Sequence, residues 1–233
     1  MVNHSTPDKS SILSVIKTVG SVADGATLQR LTGMNLQSLC DVVEFRVDTW
    51  PDMAAEGLRQ ARACSVPVLV TVRSPDEGGQ NNLSVAERLR LTRIFIPAAH
   101  ILDVEIASLS KMPGIVEEAR AAGAVVVASS HEFAGTPSLD ELRRRRDAGL
   151  AAGADMVKFA AALHGTADIA TLAALLEEPD HPPLSIMGMG VLGRVSRLLF
   201  AQLGSVLNYG WLDRPTVPGQ WPAARLRELI REL

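Results

Sequence analysis

Lys158 interrupts the run Ala154-Asp155-Met156-Val157-Lys158-Phe159-Ala160, whose apolar residues predict a buried strand. A buried ammonium costs several kcal/mol or gives up its proton, and a lysine that has lost its proton is a nucleophile. About one strand-helix unit earlier, the run Val125-Val126-Val127-Ala128-Ser129-Ser130 ends in His131, a side chain that exchanges protons near neutral pH. Taken alone, either residue reads more readily as structural, a lysine reaching out of a strand end or a capping histidine. An amine and an acid/base group at successive strand ends, among further polar strand ends, point instead to imine chemistry.

The elements that must position this pair alternate along the whole chain. Strand-like runs are expected near residues 13–18, 42–46, 68–73, 100–106, 124–130, 155–159, 184–188 and 204–208. Helical patterns fall between them near 24–38, 52–64, 84–97, 114–122, 138–152, 167–178, 191–202 and 222–232. Eight near-equal units without a composition break predict an α/β fold of the (β/α)₈ barrel type, one domain over residues 1–233, with residues 1–11 expected to be flexible.

A barrel places its chemistry at the C-terminal ends of its strands. There the sequence carries Glu44, Arg46 and Asp48, aimed to one face by strand alternation. It also carries Arg73, Asp103, Glu105, His131 and Lys158. Any one of these charges could serve only in a structural salt bridge; as a set they describe a site for a polar, anionic ligand. The segment from Ser74 to Asn82 holds Glu77-Gly78-Gly79 and is expected to be a mobile lid that brings Glu77 toward His131 when it closes.

Gly188-Met189-Gly190-Val191-Leu192-Gly193 matches the dinucleotide pattern G-x-G-x-x-G. Such a fingerprint opens a fold, whereas six units precede this one. At this position a barrel builds an anion site from backbone N–H groups, and Arg197 would add a two-pronged clamp for a carboxylate. The run Arg143-Arg144-Arg145-Arg146 lies within a predicted helix and points in four directions, so it reads as solvated surface.

The chain has 233 residues, 47% hydrophobic and 21% charged, with a formal net charge of -3. That charge offers nothing overall to nucleic acid or an anionic membrane, so the expected partner is a small molecule. Cys40 and Cys64 have no metal-like or redox-like spacing, the histidines show no metal-ligand pattern, and the polar segment from Met1 to Ser11 lacks a signal-peptide core. A cytoplasmic protein without a metal or cofactor is expected.

In order along the chain, Glu44-Phe45-Arg46-Val47-Asp48, Thr71-Val72-Arg73-Ser74, Glu77-Gly78-Gly79, Asp103-Val104-Glu105, Ser129-Ser130-His131, Lys158, Ser196-Arg197 and Pro218-Gly219-Gln220 closely resemble the type I 3-dehydroquinate dehydratase family. The resemblance covers seven of the eight expected units. It implies a lysine Schiff base, dehydration of 3-dehydroquinate as a step of the shikimate pathway, no cofactor, and commonly a homodimer. Carried over residue by residue, it implies that Lys158 forms the imine, His131 moves the protons and Glu77 supports His131. Glu44, Arg46, Arg73, Arg197, Thr216 and Gln220 would bind substrate. Thr216 stands where many members have serine, and Glu132 where they often have aspartate. The first strand departs from the pattern, because Lys17 falls near the place of a small polar ligand and offers a rival amine. Another lysine-imine barrel, such as an aldolase, and a non-catalytic barrel are the competing readings.

Overall fold

A computed structural model of the chain describes residues 9–215 and 219–233. Its strands are β1 (Lys17–Val22), β2 (Val42–Arg46), β3 (Val68–Thr71), β4 (Ile101–Glu105), β5 (Val125–Glu132), β6 (Met156–Ala162), β7 (Leu184–Met189) and β8 (Leu207–Trp211). All pair in parallel, in the order β7-β6-β5-β4-β3-β2-β1-β8. Around them lie α1 (Lys9–Ser14), α2 (Gly25–Arg30), α3 (Leu36–Leu39), α4 (Ala54–Ala63), α5 (Val85–Phe95), α6 (Ile106–Leu109), α7 (Ile115–Ala121), α8 (Leu139–Ala151), α9 (Thr166–Leu176), α10 (Gly193–Gln202) and α11 (Ala223–Glu232). The result is a single, nearly closed (β/α)₈ barrel. Residues 1–8, part of the segment expected to be flexible, lie outside the described residues.

The period of two along each strand divides the core in two. Val43, Phe45, Val68, Val70, Val126 and Phe159 face outward and pack with the helices. Val19, Val42, Leu69, Ile101, Val125, Val127 and Met156 fill the barrel interior, and Ile12 of α1 joins them. Followed toward the strand C-termini, the inward positions change from apolar to polar. Val42 gives way to Glu44, Leu69 to Thr71, Ile101 to Asp103 and Met156 to Lys158, all buried. The lower barrel is thus ordinary hydrophobic packing, and it supports a layer of buried charge above it.

The barrel's two end strands meet differently from the others. Just ahead of β8, Val206 N–H donates to Leu184 O at 2.8 Å. Side chains supply more of the joint: Ser185 Oγ donates to Leu207 O at 2.6 Å and Ile186 N–H to Ser205 Oγ at 2.9 Å. Arg197, from α10, donates Nη1–H to Tyr209 O at 2.8 Å.

Two strands sit later than expected. β1 begins at Lys17 rather than residue 13, since Val15 and Ile16 are exposed apolar residues ahead of the sheet. β8 begins at Leu207, after a turn in which Gly204 adopts φ +100°. The helix expected over 24–38 is broken into α2, a 3-10 turn at Leu31–Gly33, and α3.

Candidate active site

The buried charge layer opens into one pocket at the C-terminal mouth, lined by Glu44, Arg46, Arg73, Glu77, His131, Lys158, Arg197 and Gln220 among others. Eight of the nine site residues expected from the sequence meet here. Thr216 and Pro218 lie outside the described residues.

Lys158 is 3% exposed. Its Nζ donates to Asp103 Oδ2 at 3.0 Å and lies 4.3 Å from the centre of the Tyr209 ring. Burial lowers its pKa, an effect that the Asp103 charge opposes and the nearby Arg73 reinforces. Asp103 is held in turn by Ser129 Oγ at 2.6 Å and Arg73 Nη2 at 2.9 Å. Burial alone would raise the Asp103 pKa, yet Arg73 and Lys158 hold its carboxyl well below the usual range. Arg73 also reaches Glu105 Oε1 at 3.0 Å, and Arg88 of α5 closes on the other Glu105 oxygen. That helix is set by a capping box: Glu87 N–H donates to Ser84 Oγ at 3.3 Å, while Ser84 N–H donates to Glu87 Oε2 at 2.9 Å. Arg73 therefore lines the pocket with its guanidinium already engaged by two carboxylates.

His131 lies two residues beyond Ser129, the register partner of Lys158. It is thus one inward position, roughly 6.6 Å, nearer the mouth. Arg145 of α8 binds Ser130 and Glu132 on either side of it, fixing the strand end so that the imidazole faces in. Glu77 Oε2 accepts the His131 backbone N–H at 2.9 Å and meets Nδ1 at 2.9 Å. With a proton on Nδ1, Nε2 keeps its lone pair for the pocket. Burial, with Arg73 and Lys158 nearby, lowers the His131 pKa well below 6.5. Burial raises the Glu77 pKa to about 7, against the pull of Arg73.

Glu77 was expected to approach His131 on lid closure; in the structure the two are in contact. The loop is tied down on both sides: Gly79 N–H donates to Ser74 O at 2.8 Å, and Asn81 Nδ2 donates to Asp48 O at 2.9 Å. Asp48 itself was expected to face the mouth with Glu44 and Arg46. Instead the chain turns into a 3-10 segment at Val47–Thr49, and Asp48 is fully buried beside Arg46.

Arg197 is 2% exposed and has no carboxylate partner among the described residues. Its Nε has no hydrogen-bond partner there either. Burial pushes its pKa down to about 10. A buried cation facing a pocket without a counterion is a receptor for an anion. The neighbouring glycine pattern is explained by packing. A Cβ on Gly188 would fall 2.2 Å from Leu163 Cδ1, and one on Gly219 2.3 Å from Gly190 O. These glycines bring the β7–α10 turn against the loop that carries Gln220.

Lys17 starts β1 at the opposite end of the barrel and does not line the pocket. The first-strand contact is Ser21, four residues on, whose Oγ donates to Glu44 Oε2 at 2.6 Å. Thr71 Oγ1 holds the other Glu44 oxygen at 2.9 Å. Ser21, Tyr209, Met187 and Met189 also line the pocket and were not singled out from the sequence. Correct placement of β1 would have revealed Ser21; the apolar three carry no mark that separates them from core. Among the described residues no group of His, Cys, Asp and Glu could hold a metal ion.

Known proteins are similar to this chain over most of their length. A crystal structure of 3-dehydroquinate dehydratase from Geobacillus kaustophilus superposes with a TM-score of 0.84 at 27% identity, covering 94% of this chain and 91% of that one. The 3-dehydroquinate dehydratase of Methanothrix thermoacetophila is 31% identical over 218 residues, 93% of this chain and 92% of that protein. That of Klebsiella pneumoniae subsp. pneumoniae is 32% identical over 228 residues, 88% and 89% of the two chains. The family model for type I 3-dehydroquinase matches residues 26–233, which span every strand end just described except that of β1. A buried amine, a histidine one layer above it and an arginine with no carboxylate partner among the described residues thus occur within a chain that belongs to the type I 3-dehydroquinase family.

Proposed function

We propose that the protein is a 3-dehydroquinate dehydratase, a hydro-lyase of the shikimate pathway, that works through an imine on Lys158. The observation that carries the reading is the buried Lys158 amine beneath His131, in a pocket whose one uncompensated cation is Arg197 among the described residues. Burial favours the free amine, which adds to the C3 ketone; loss of water gives an iminium. The iminium draws electrons from the C2–H bond far better than a ketone does. Nε2 of His131 takes that proton, and the resulting enamine expels the C1 hydroxyl. His131 returns its proton to the leaving oxygen, so a water departs. A second water then hydrolyses the conjugated iminium, releasing product and restoring the amine.

Arg197 binds the substrate carboxylate, and Glu44, Arg46 and Gln220 contact the ring hydroxyls, with Thr216 expected to assist. Arg73 acts mainly by holding Asp103 beside Lys158. Neither metal nor cofactor has a step in this scheme. An aldolase working on phosphorylated sugars would need a phosphate site, whereas among the described residues the pocket offers a single guanidinium without a carboxylate partner, suited to one carboxylate.

We infer a homodimer from the family resemblance. Exposed Val191, Val195 and Leu199, on one side of the α10 region, support that reading, and sedimentation at the mass of one chain would refute it. Free Cys40 and Cys64 suit a reducing cytoplasm. Purified protein given 3-dehydroquinate should form a conjugated, ultraviolet-absorbing enone, and borohydride added during turnover should trap ligand on the Lys158 peptide. A label on the Lys17 peptide would overturn the assignment.

A further inference from the structure

Asp48 does not itself line the pocket, yet its polar contacts reach residues that do. Its carboxylate accepts Arg46 Nε–H and Nη2–H, each at 2.9 Å. Oδ2 also accepts the Gln80 backbone N–H at 3.2 Å, and its main-chain oxygen accepts from Asn81 Nδ2 at 2.9 Å. The side chain is completely buried.

Two parts of the site hang from these bonds. The fork on Asp48 occupies the Nε–Nη2 edge of Arg46 and so turns the remaining N–H donors toward the pocket that Arg46 lines. The bonds to Gln80 and Asn81 anchor the far end of the short loop that begins at Ser74. Its near end carries Glu77, bound to His131. Between these anchors the loop is pinned by the Gly79 N–H bond to Ser74 O at 2.8 Å. Displacement of residues 80 and 81 would therefore move the Glu77 carboxylate.

We propose that Asp48 is a positioning residue that sets both the ligand-binding edge of Arg46 and, through the 74–82 loop, the Glu77–His131 contact. One buried carboxylate then couples binding of the hydroxylated ring to the proton-transfer histidine. This rests on the dehydratase reading, and wild-type turnover of 3-dehydroquinate, measured first, tests that reading separately.

Asp48→Asn keeps the shape but removes the charge and sets an NH₂ group against N–H donors. KM should rise and kcat should fall, each about tenfold, and the acidic limb of the pH profile should move. Combined with Glu77→Gln, the loss in kcat should be clearly less than the product of the two single losses, because both act on His131. Asn81→Gly removes the side-chain anchor of the loop, leaves Arg46 and its Asp48 fork untouched, and tolerates the φ of +61° found there. It should lower kcat and leave KM unchanged. Should Asp48→Asn fail to fold, the Asn81→Gly result decides. Wild-type kcat in Asn81→Gly, or multiplicative losses in the double variant, would overturn the proposal.

Discussion

Replacing Glu77 by glutamine should make the protein more stable and less active, with both effects tied to pH. The Glu77 side chain is 13% exposed, and burial raises its pKa from the ordinary 4.5 to about 7. At about 1.4 kcal/mol per tenfold change in proton affinity, the ionised carboxylate costs the folded state about 3 kcal/mol. A carboxyl raised in this way binds its proton more tightly folded than unfolded. Wild-type stability therefore falls as pH rises from 4.5 to about 7, and the loss is complete above that. Glutamine has no such titration. In denaturant melts the variant should gain up to about 3 kcal/mol on the wild type between roughly pH 5 and pH 8. Turnover should fall about 10- to 100-fold, because no carboxylate remains to stabilise the imidazolium. The acidic limb of the rate profile should move to lower pH, since the group titrating at about 7 is gone and the His131 pKa lies well below 6.5. An unchanged limb, or a stability difference that does not vary with pH, would refute the reasoning.

His131→Ala leaves Lys158 and its Asp103 contact in place, so borohydride should still trap ligand while turnover falls by roughly 10²- to 10⁴-fold. Near-normal turnover would remove His131 from the proton transfers. Arg197→Met removes a buried cation that lacks a carboxylate partner among the described residues. KM should rise about 100-fold or more; unchanged KM would show that the carboxylate binds elsewhere.

How much of this was legible in the sequence depended on where local patterns agreed. β2 and β6 were readable because their polar residues stand singly in strongly apolar runs, which places Glu44 and Lys158 on inward positions. β1 was misplaced because exposed Val15 and Ile16 imitate strand residues, while Gly20 and Ser21 break the strand signal near its true end. That slip hid Ser21 and promoted Lys17. The ion pairs around Asp103 were not legible: alternation aims carboxylates and guanidinium groups into one mouth but does not say which pairs close. Nor could sequence show that Glu77 meets His131. That contact joins residues 54 positions apart, where no periodic pattern operates.

The joint between β7 and β8 gives Arg197 a second duty. Six of the other strand contacts are continuous backbone ladders, as is that between β1 and β8, but here serine hydroxyls and the Arg197 guanidinium help to fasten the wall. The anion receptor is therefore also a rivet. A carboxylate held by Arg197 would fix the same guanidinium that donates to Tyr209 O, so that ligand binding and closure of the barrel share one side chain.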